Sequence, residues 1–192
     1  NELLIFSQNL TNYGMEIPED AIYRINLAWV NTIDELKDLL LKHKEHLIFL
    51  DLPIGRTKPP HNNYSLEEII PILQSHNNIK YFAVSNVDSK NDLTKYSEII
   101  PANITIVPKI ESPDGISNIK EITDALSSQE KVIMLDHDDL FSKLTKQNES
   151  PSTFKNYITD LTNFCSENNI ILLRTIGVIF GDAEKRLTQY AG

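Results

Sequence analysis

The sequence predicts an α/β fold, a small (β/α)8-type TIM barrel that is incomplete, with about seven strands in one domain over residues 1–192. Two observations lead to this fold class. Short runs rich in β-branched residues alternate with amphipathic segments, and repeated strand–helix units build a parallel sheet covered by helices. Charged and polar residues also recur where successive strands end, and in a barrel those ends converge on one face.

Seven apolar runs have the length and composition of β-strands. They cover residues 3–6, 23–29, 47–52, 80–87, 104–110, 131–135 and 170–175. Too few residues then remain for a helical crossover to another parallel strand. We therefore expect a terminal helix over residues 182–190 and an open seam between the first and last strands. Self-association is the commonest way to cover such an edge, so we expect a homo-oligomer.

Helix start signals separate most of these runs. Thr32 with Glu35, and Ser65 with Glu68, have the spacing of a capping box, in which side chain and backbone at a helix start bond reciprocally. A Phe, Tyr, Ile and Leu stripe at 3–4 spacing marks a later amphipathic helix. The predicted helices cover residues 36–41, 69–73, 89–99, 116–126 and 154–165.

Composition excludes several function classes. A net charge of −9 without a basic stripe argues against nucleic acid as a partner. The longest apolar runs, such as residues 170–173, are far too short to span a bilayer, so no membrane partner is expected. Cys165 is the only cysteine, which rules out an intrachain disulfide and a cysteine-based zinc site. We expect a cytoplasmic protein.

The most informative residues are Lys109 and Glu111, which end the fifth predicted strand. Side chains alternate along a strand, so these two share one face. An ammonium and a carboxylate leaving an apolar strand together are costly unless they are paired or bind something. A structural ion pair and a ligand site both remain open. Other polar residues near predicted strand ends are Arg24, Asn26, Asp51, Ser85, Asp139 and Thr175.

Five segments resemble, in order and spacing, the barrel of pyruvate kinases and the wider pyruvate-kinase-like superfamily. They are residues 23–27 (YRINL), 49–52 (FLDL), 81–89 (YFAVSNVDS), 108–115 (PKIESPDG) and 133–140 (IMLDHDDL). The resemblance extends over residues 20–140, about two-thirds of the chain. That superfamily includes metal-dependent 2-oxo-acid aldolases and citrate-lyase-like proteins.

The resemblance implies a role for each matching catalytic residue. Glu111 and Asp139 match two carboxylates that hold a catalytic Mg²⁺ or Mn²⁺, and hard oxygen ligands suit either ion. Lys109 matches a lysine that stabilises charge on a phosphoryl group or an enolate oxygen. Arg24 matches a phosphate-facing arginine, and Thr175 matches a threonine near the site of proton transfer.

The resemblance also implies a second set of ligands. Asn26 and Asp51 match two ligands of a monovalent cation, but Ala28 stands where the family has a serine, which argues against K⁺. Asp51 is thereby a further expected metal ligand. The expected substrate-binding residues are Arg24, Asn26, Arg56, Ser85 and His137.

Departures from the family decide which function is expected. Only residues 53–64 join the third strand to the next helix, so the nucleotide-covering lid domain is absent. Asp138 replaces a glycine beside the substrate carboxylate. We expect a divalent-metal-dependent enzyme that acts on a pyruvate- or phosphoenolpyruvate-type 2-oxo acid through an enolate, with lyase or aldolase chemistry. The alternatives are a degenerate, non-catalytic barrel that binds a ligand or partner, and a pyruvate kinase.

Overall fold

The computed structural model describes residues 3, 5–8, 14, 16–54, 64–180 and 185–191, with backbone only over 175–180 and 185–191. The described residues form eight strands arranged as a closed barrel. The strands are β1 (Ile5–Ser7), β2 (Ile22–Asn26), β3 (Leu47–Leu52), β4 (Ile79–Val84), β5 (Thr105–Ile110), β6 (Val132–Leu135), β7 (Ile171–Phe180) and β8 (Lys185–Ala191).

Helices follow most strands and cover the outside of the sheet. They are α1 (Ile33–Lys42), α2 (Leu66–Ser75), α3 (Asn91–Ile99), α4 (Pro113–Ser117), α5 (Ile119–Asp124), α6 (His137–Lys146) and α7 (Pro151–Glu167). A 3-10 turn, Leu27–Trp29, precedes α1. The capping box at Ser65 and Glu68 is present, and Thr32 accepts from the Glu35 N–H. Among the described residues, no helix has the length and apolar character needed to cross a membrane.

Strands β1 to β7 are all parallel, and each pairs with the next along the chain. The expected α/β fold with seven parallel strands is therefore confirmed. β8 departs from the (β/α)8 pattern because it runs antiparallel to both of its neighbours. It pairs with β7 from Phe180↔Lys185 to Arg174↔Ala191, and with β1 at Ile5↔Tyr190.

The expected terminal helix over residues 182–190 is wrong. β7 continues to Phe180, and the chain returns as β8, which needs no helical crossover because antiparallel neighbours can be joined by a short connection. β8 also fills the expected seam between β1 and β7. The homo-oligomer remains a prediction, but the seam no longer supplies an argument for it.

Alternation along the strands produces two apolar layers and determines which charged residues face the barrel interior. Phe49, Val107 and Leu173 belong to the inner cluster, whereas their neighbours Leu50 and Leu172 belong to the cluster under the helices. The inward register continues through the charged residues two positions further on. Those inward residues are Arg24, Asp51, Lys109 and Glu111.

Candidate functional site

Three buried charges, from β2, β3 and β5, meet inside the barrel. Asp51 on β3 is fully buried, and its Oδ2 lies 2.5 Å from Nη2 of Arg24 on β2. The ammonium of Lys109, on β5, lies 3.3 Å from the same oxygen. Burial alone would raise the pKa of Asp51, but the charges of Lys109 and Arg24 outweigh it and hold that pKa below its usual range. Asp51 is therefore an anion held between two cations.

Glu111 extends the line of charges from Lys109 to the mouth of the barrel. Its Oε1 lies 4.0 Å from the Lys109 ammonium, and its Oε2 accepts a hydrogen bond of 2.6 Å from the Asn86 backbone N–H. Burial raises the pKa of Glu111 to about 7, against the opposing effects of Lys109 and the Asn86 hydrogen bond. For Lys109, burial would lower the pKa, but Asp51 and Glu111 together raise it, so its amine stays protonated.

Two further carboxylates complete a cluster at the mouth. Glu111, Asp136 and Asp139 each offer an oxygen, and the three oxygens lie within 4.8 Å of one another. Asp136 is the N-cap of α6, where its Oδ1 accepts from the Asp139 N–H at 3.0 Å. Its own N–H donates to the Ile110 carbonyl at 3.1 Å, which fixes the start of α6 against the end of β5. Burial, and then the charge of Asp139, raises the pKa of Asp136.

Net charge is the property of this site that suits a divalent cation. Three mouth carboxylates and Asp51 face two cations, Lys109 and Arg24, so the fully ionised site carries two excess negative charges. Carboxylate oxygens are the ligands that Mg²⁺ and Mn²⁺ prefer, and one such ion would balance the excess. The donor set therefore fits the expected cofactor.

Asp51 stays a predicted metal ligand, but its contacts in the structure are with two cations. Its carboxylate already accepts from Arg24 and Lys109, and it lies outside the cluster whose oxygens could share one ion. The same contact places the Arg24 guanidinium in a buried ion pair with Asp51, and its expected role toward a phosphate stays a prediction. Both residues lie at the end of the barrel where the sequence predicts the site, and they form an ion pair with each other.

The expected substrate-binding residues are mostly engaged in local structure. Asn26 Oδ1 accepts from the Ala28 N–H at 3.0 Å, and Ser85 Oγ accepts from the Ile54 N–H at 3.4 Å. His137, the first residue of α6, contacts Arg174 and Phe154. Its Nε2 lies 3.3 Å from Nη2 of Arg174, which follows the outward register of β7, and its ring contacts Phe154 edge-on. The Thr175 side chain and the whole of Arg56 lie outside the described residues.

Asp136 is the site residue that the sequence prediction missed. It stands among three aspartates between residues 136 and 139, where only Asp139 was assigned to the metal. The signal that could have found it is the spacing of Asp136 and Asp139, because an aspartate at an N-cap accepts from the backbone N–H three residues later. That bond places both side chains at one helix start.

The comparisons with known proteins support the fold and leave the activity open. No family model matches the chain, and no curated protein matches it. Among solved structures, the crystal structure of RipC from Yersinia pestis matches with a TM-score of 0.56 and 15% identity. The match covers 85% of this chain and 72% of that chain. At this level of identity, the likeness shows the fold alone.

The assignment to the pyruvate kinase barrel and the pyruvate-kinase-like superfamily is therefore wrong. RipC, which has a matching solved structure, is not a pyruvate kinase, and no family model supports the resemblance. Part of the motif similarity has a local explanation. In residues 108–115, Ser112 is an N-cap that accepts from the Gly115 N–H, and Pro113 occupies the first position of α4. Serine at the N-cap and proline at the first helical position are common at helix starts in general.

Proposed function

We propose that this chain is a divalent-metal-dependent enzyme that acts on a small 2-oxo acid through an enolate. The observation that supports this proposal is a cluster of three carboxylates beside a buried lysine at one end of the barrel. In this proposal Glu111, Asp136 and Asp139 hold Mg²⁺ or Mn²⁺. Like charges this close together repel one another, and a bound cation relieves that repulsion.

The proposed role of Lys109 is electrostatic. Its amine stays protonated, because its pKa is raised, so it cannot serve as a general base at neutral pH. A fixed positive charge can instead stabilise the negative charge that develops on an enolate oxygen. Asp51 holds that ammonium from the opposite side, 3.3 Å away, and fixes its direction. When bound, the divalent ion would supply Lewis-acid polarisation of the substrate carbonyl.

The charge of the mouth favours a small mono-anion over a nucleotide. Glu111, Asp136 and Asp139 line the same opening, and a triphosphate would bring several more negative charges into that field. One divalent ion could compensate the cluster and a single substrate carboxylate far more readily than a triphosphate. This argument supports lyase- or aldolase-type chemistry on a 2-oxo acid over phosphoryl transfer from ATP.

A ligand-binding barrel without turnover is a second candidate, and one observation favours it. Lys109 lies closer to Asp51, at 3.3 Å, than to Glu111, at 4.0 Å. A lysine whose charge is already matched by a buried aspartate can be purely structural. In that case the carboxylate cluster would bind a cation, but no enolate would form.

Calorimetric titration with Mn²⁺ tests the metal site. Glu111→Gln removes one anionic ligand while keeping its shape, so Mn²⁺ affinity should fall by tenfold or more, which corresponds to about 1.4 kcal/mol. Glu98→Gln, at an exposed position on α3, makes the same chemical change away from the site and should leave the affinity unchanged. Equal affinities in all three proteins would refute the assignment of Glu111.

Deuterium exchange separates the enzyme from the binding barrel. Pyruvate serves as the probe in D₂O with Mn²⁺, and quenched samples are measured by mass spectrometry. An enzyme that forms the enolate should incorporate deuterium at the methyl carbon, and Lys109→Met should abolish the exchange. Metal binding without any exchange above the protein-free rate would favour the non-catalytic barrel for this substrate class.

A further inference from the structure

Asn86 has a backbone conformation that its position in the fold does not require. Its φ is +53°, in the left-handed region that L-residues rarely adopt. Asn148 and Asn169 share this conformation, but each follows the end of a helix, α6 or α7, where a left-handed residue commonly terminates the helix. Asn86 follows a strand, two residues after β4 ends at Val84. Its conformation therefore needs another explanation.

The left-handed turn directs the Asn86 peptide N–H toward a carboxylate. That N–H donates to Oε2 of Glu111 at 2.6 Å, and the next N–H, of Val87, donates to the Lys109 carbonyl at 3.2 Å. Two consecutive N–H groups thus bind the end of β5. Because Oε1 of Glu111 faces the Lys109 ammonium, the N–H on Oε2 fixes the remaining rotation of the carboxylate.

The Asn86 side chain holds this turn from two directions. Its Nδ2 donates to the Ile54 carbonyl at 3.0 Å, just beyond β3. Its Oδ1 accepts from the Lys143 ammonium at 3.2 Å, and Lys143 lies on α6, the helix that begins beside Asp136. One exposed amide therefore joins segments after β3 and β4 to the helix that carries the other two carboxylates.

We propose that Asn86 is a positioning residue for Glu111, holding its carboxylate toward Asp136 and Asp139 through a left-handed peptide that its own side-chain amide clamps. The inference rests on the proposed metal site for its consequence, but the positioning itself does not depend on a metal. Glycine would keep the backbone conformation and lose both side-chain bonds. Alanine would lose the bonds and also disfavour the conformation.

The residue types that could replace Asn86 are few, because each of its three bonds has a separate requirement. Aspartate could accept from Lys143 but could not donate to the Ile54 carbonyl. Larger or β-branched side chains are strongly disfavoured at a positive φ. Asparagine combines tolerance of the left-handed region with one donor group and one acceptor group.

The first test is nuclear magnetic resonance without metal. In the parent protein, the residue 86 amide proton should resonate downfield and exchange slowly with solvent, because it donates a short bond to a carboxylate. Glu111→Gln should move that resonance upfield, and Asn86→Gly should speed its exchange. A residue 86 amide that exchanges as fast as an unstructured peptide would overturn the proposal, whatever the metal result.

The second test is Mn²⁺ titration of Asn86→Ala, Asn86→Gly and the control Asn169→Ala. Groups that orient metal ligands typically change affinity by about 10- to 100-fold when they are removed, so Asn86→Ala should weaken binding about tenfold or more. Asn86→Gly should fall between that variant and the parent. Asn169→Ala strains a left-handed asparagine at the opposite end of the barrel and should leave the affinity unchanged.

The outcomes distinguish this proposal from the proposed function. If the parent binds Mn²⁺ and Asn86→Ala binds it as tightly as Asn169→Ala does, the positioning role is wrong and the metal site stands. If the parent does not bind Mn²⁺, the metal site is wrong, and the amide resonance and exchange of residue 86 decide the positioning role by themselves.

Discussion

Replacing Asp51 by asparagine would remove the negative charge that two buried cations share. Asp51 is fully buried, and its carboxylate lies 2.5 Å from Arg24 Nη2 and 3.3 Å from Lys109 Nζ. Asparagine has nearly the same shape and can still accept one hydrogen bond. The substitution therefore tests the charge with little change in packing, and it leaves two cations facing each other inside the barrel.

The magnitude follows from burial. Removing one partner of a buried ion pair typically costs about 3–5 kcal/mol, because the remaining charge is left uncompensated in a poorly solvated place. Because Asp51→Asn leaves two cations uncompensated, its cost should lie at the upper end of this range. Glu111, 4.0 Å from Lys109, offsets part of the loss. We expect the free energy of unfolding to fall by about 4 kcal/mol, a large fraction of the total stability of a domain.

Urea unfolding at pH 7, followed by circular dichroism, measures this difference by linear extrapolation. Asp124→Asn is the matched control, because Asp124 pairs with Lys120 at 2.6 Å on the exposed surface of α5. An exposed pair of this kind is screened by solvent and contributes little to stability. If Asp51→Asn costs no more than Asp124→Asn, the buried charge network is not what holds these strands together. If Asp51→Asn does not fold, Asp51→Asn with Lys109→Met should recover part of the loss, since one stranded charge is gone.

Two further predictions concern the carboxylate cluster and the loop beside it. In metal-free buffer, the raised pKa of about 7 lets Glu111 keep its proton in the folded state, whereas the unfolded chain loses that proton near pH 4.5. Protonation of Glu111 therefore stabilises the fold at low pH, and this stabilisation is lost as the pH rises from 4.5 to about 7. Between pH 5 and pH 8, the free energy of unfolding of the parent, measured by thermal and urea unfolding, should therefore fall by up to about 3 kcal/mol relative to that of Glu111→Gln. Parallel pH profiles of the two proteins would contradict the raised pKa. Gly115→Ala should cost about 1–3 kcal/mol, because the added Cβ would lie 2.7 Å from the Val87 carbonyl oxygen. Ser117→Ala, at an exposed position on the same helix, is the control. If both substitutions lower the free energy of unfolding by the same small amount, the loop after β4 moves aside freely.

Local sequence signals predicted most of the barrel because its elements carry their own boundaries. β3 covers Leu47–Leu52, the same six residues as its apolar run, and the capping box at Ser65 starts α2. The predicted helix over residues 116–126 is instead two short helices, α4 and α5. Ser112 caps α4, which therefore begins three residues before the predicted start, and Asn118 separates α4 from α5.

The end of the barrel could not be predicted in the same way. Residues 185–191 (KRLTQYA) contain Lys, Arg, Leu, Gln and Ala, which favour helix when only local propensity is considered. The strand forms there because the facing edges of β7 and β1 would have unpaired backbone groups without it. β8 pairs with both edges, at Thr175↔Tyr190 and Ile5↔Tyr190. Pairing with β1 joins positions at opposite ends of the chain, and no local pattern reports it.

The site separates the two interpretations that Lys109 and Glu111 left open. Lys109 lies nearer to Asp51 than to Glu111, so the structural ion pair exists, but its acid is Asp51. Glu111 is left with one weaker cation contact and two carboxylate neighbours, Asp136 and Asp139. Pairing within the barrel explains why the lysine can be buried, but it does not explain three acids within 4.8 Å of one another. Burial first, and the neighbouring carboxylates after it, raise the pKa values of Glu111 and Asp136, so protonation relieves part of this repulsion in the absence of a metal. A divalent ion competes for the same oxygens, so metal binding should release protons, and that release connects the stability of the cluster to its proposed function.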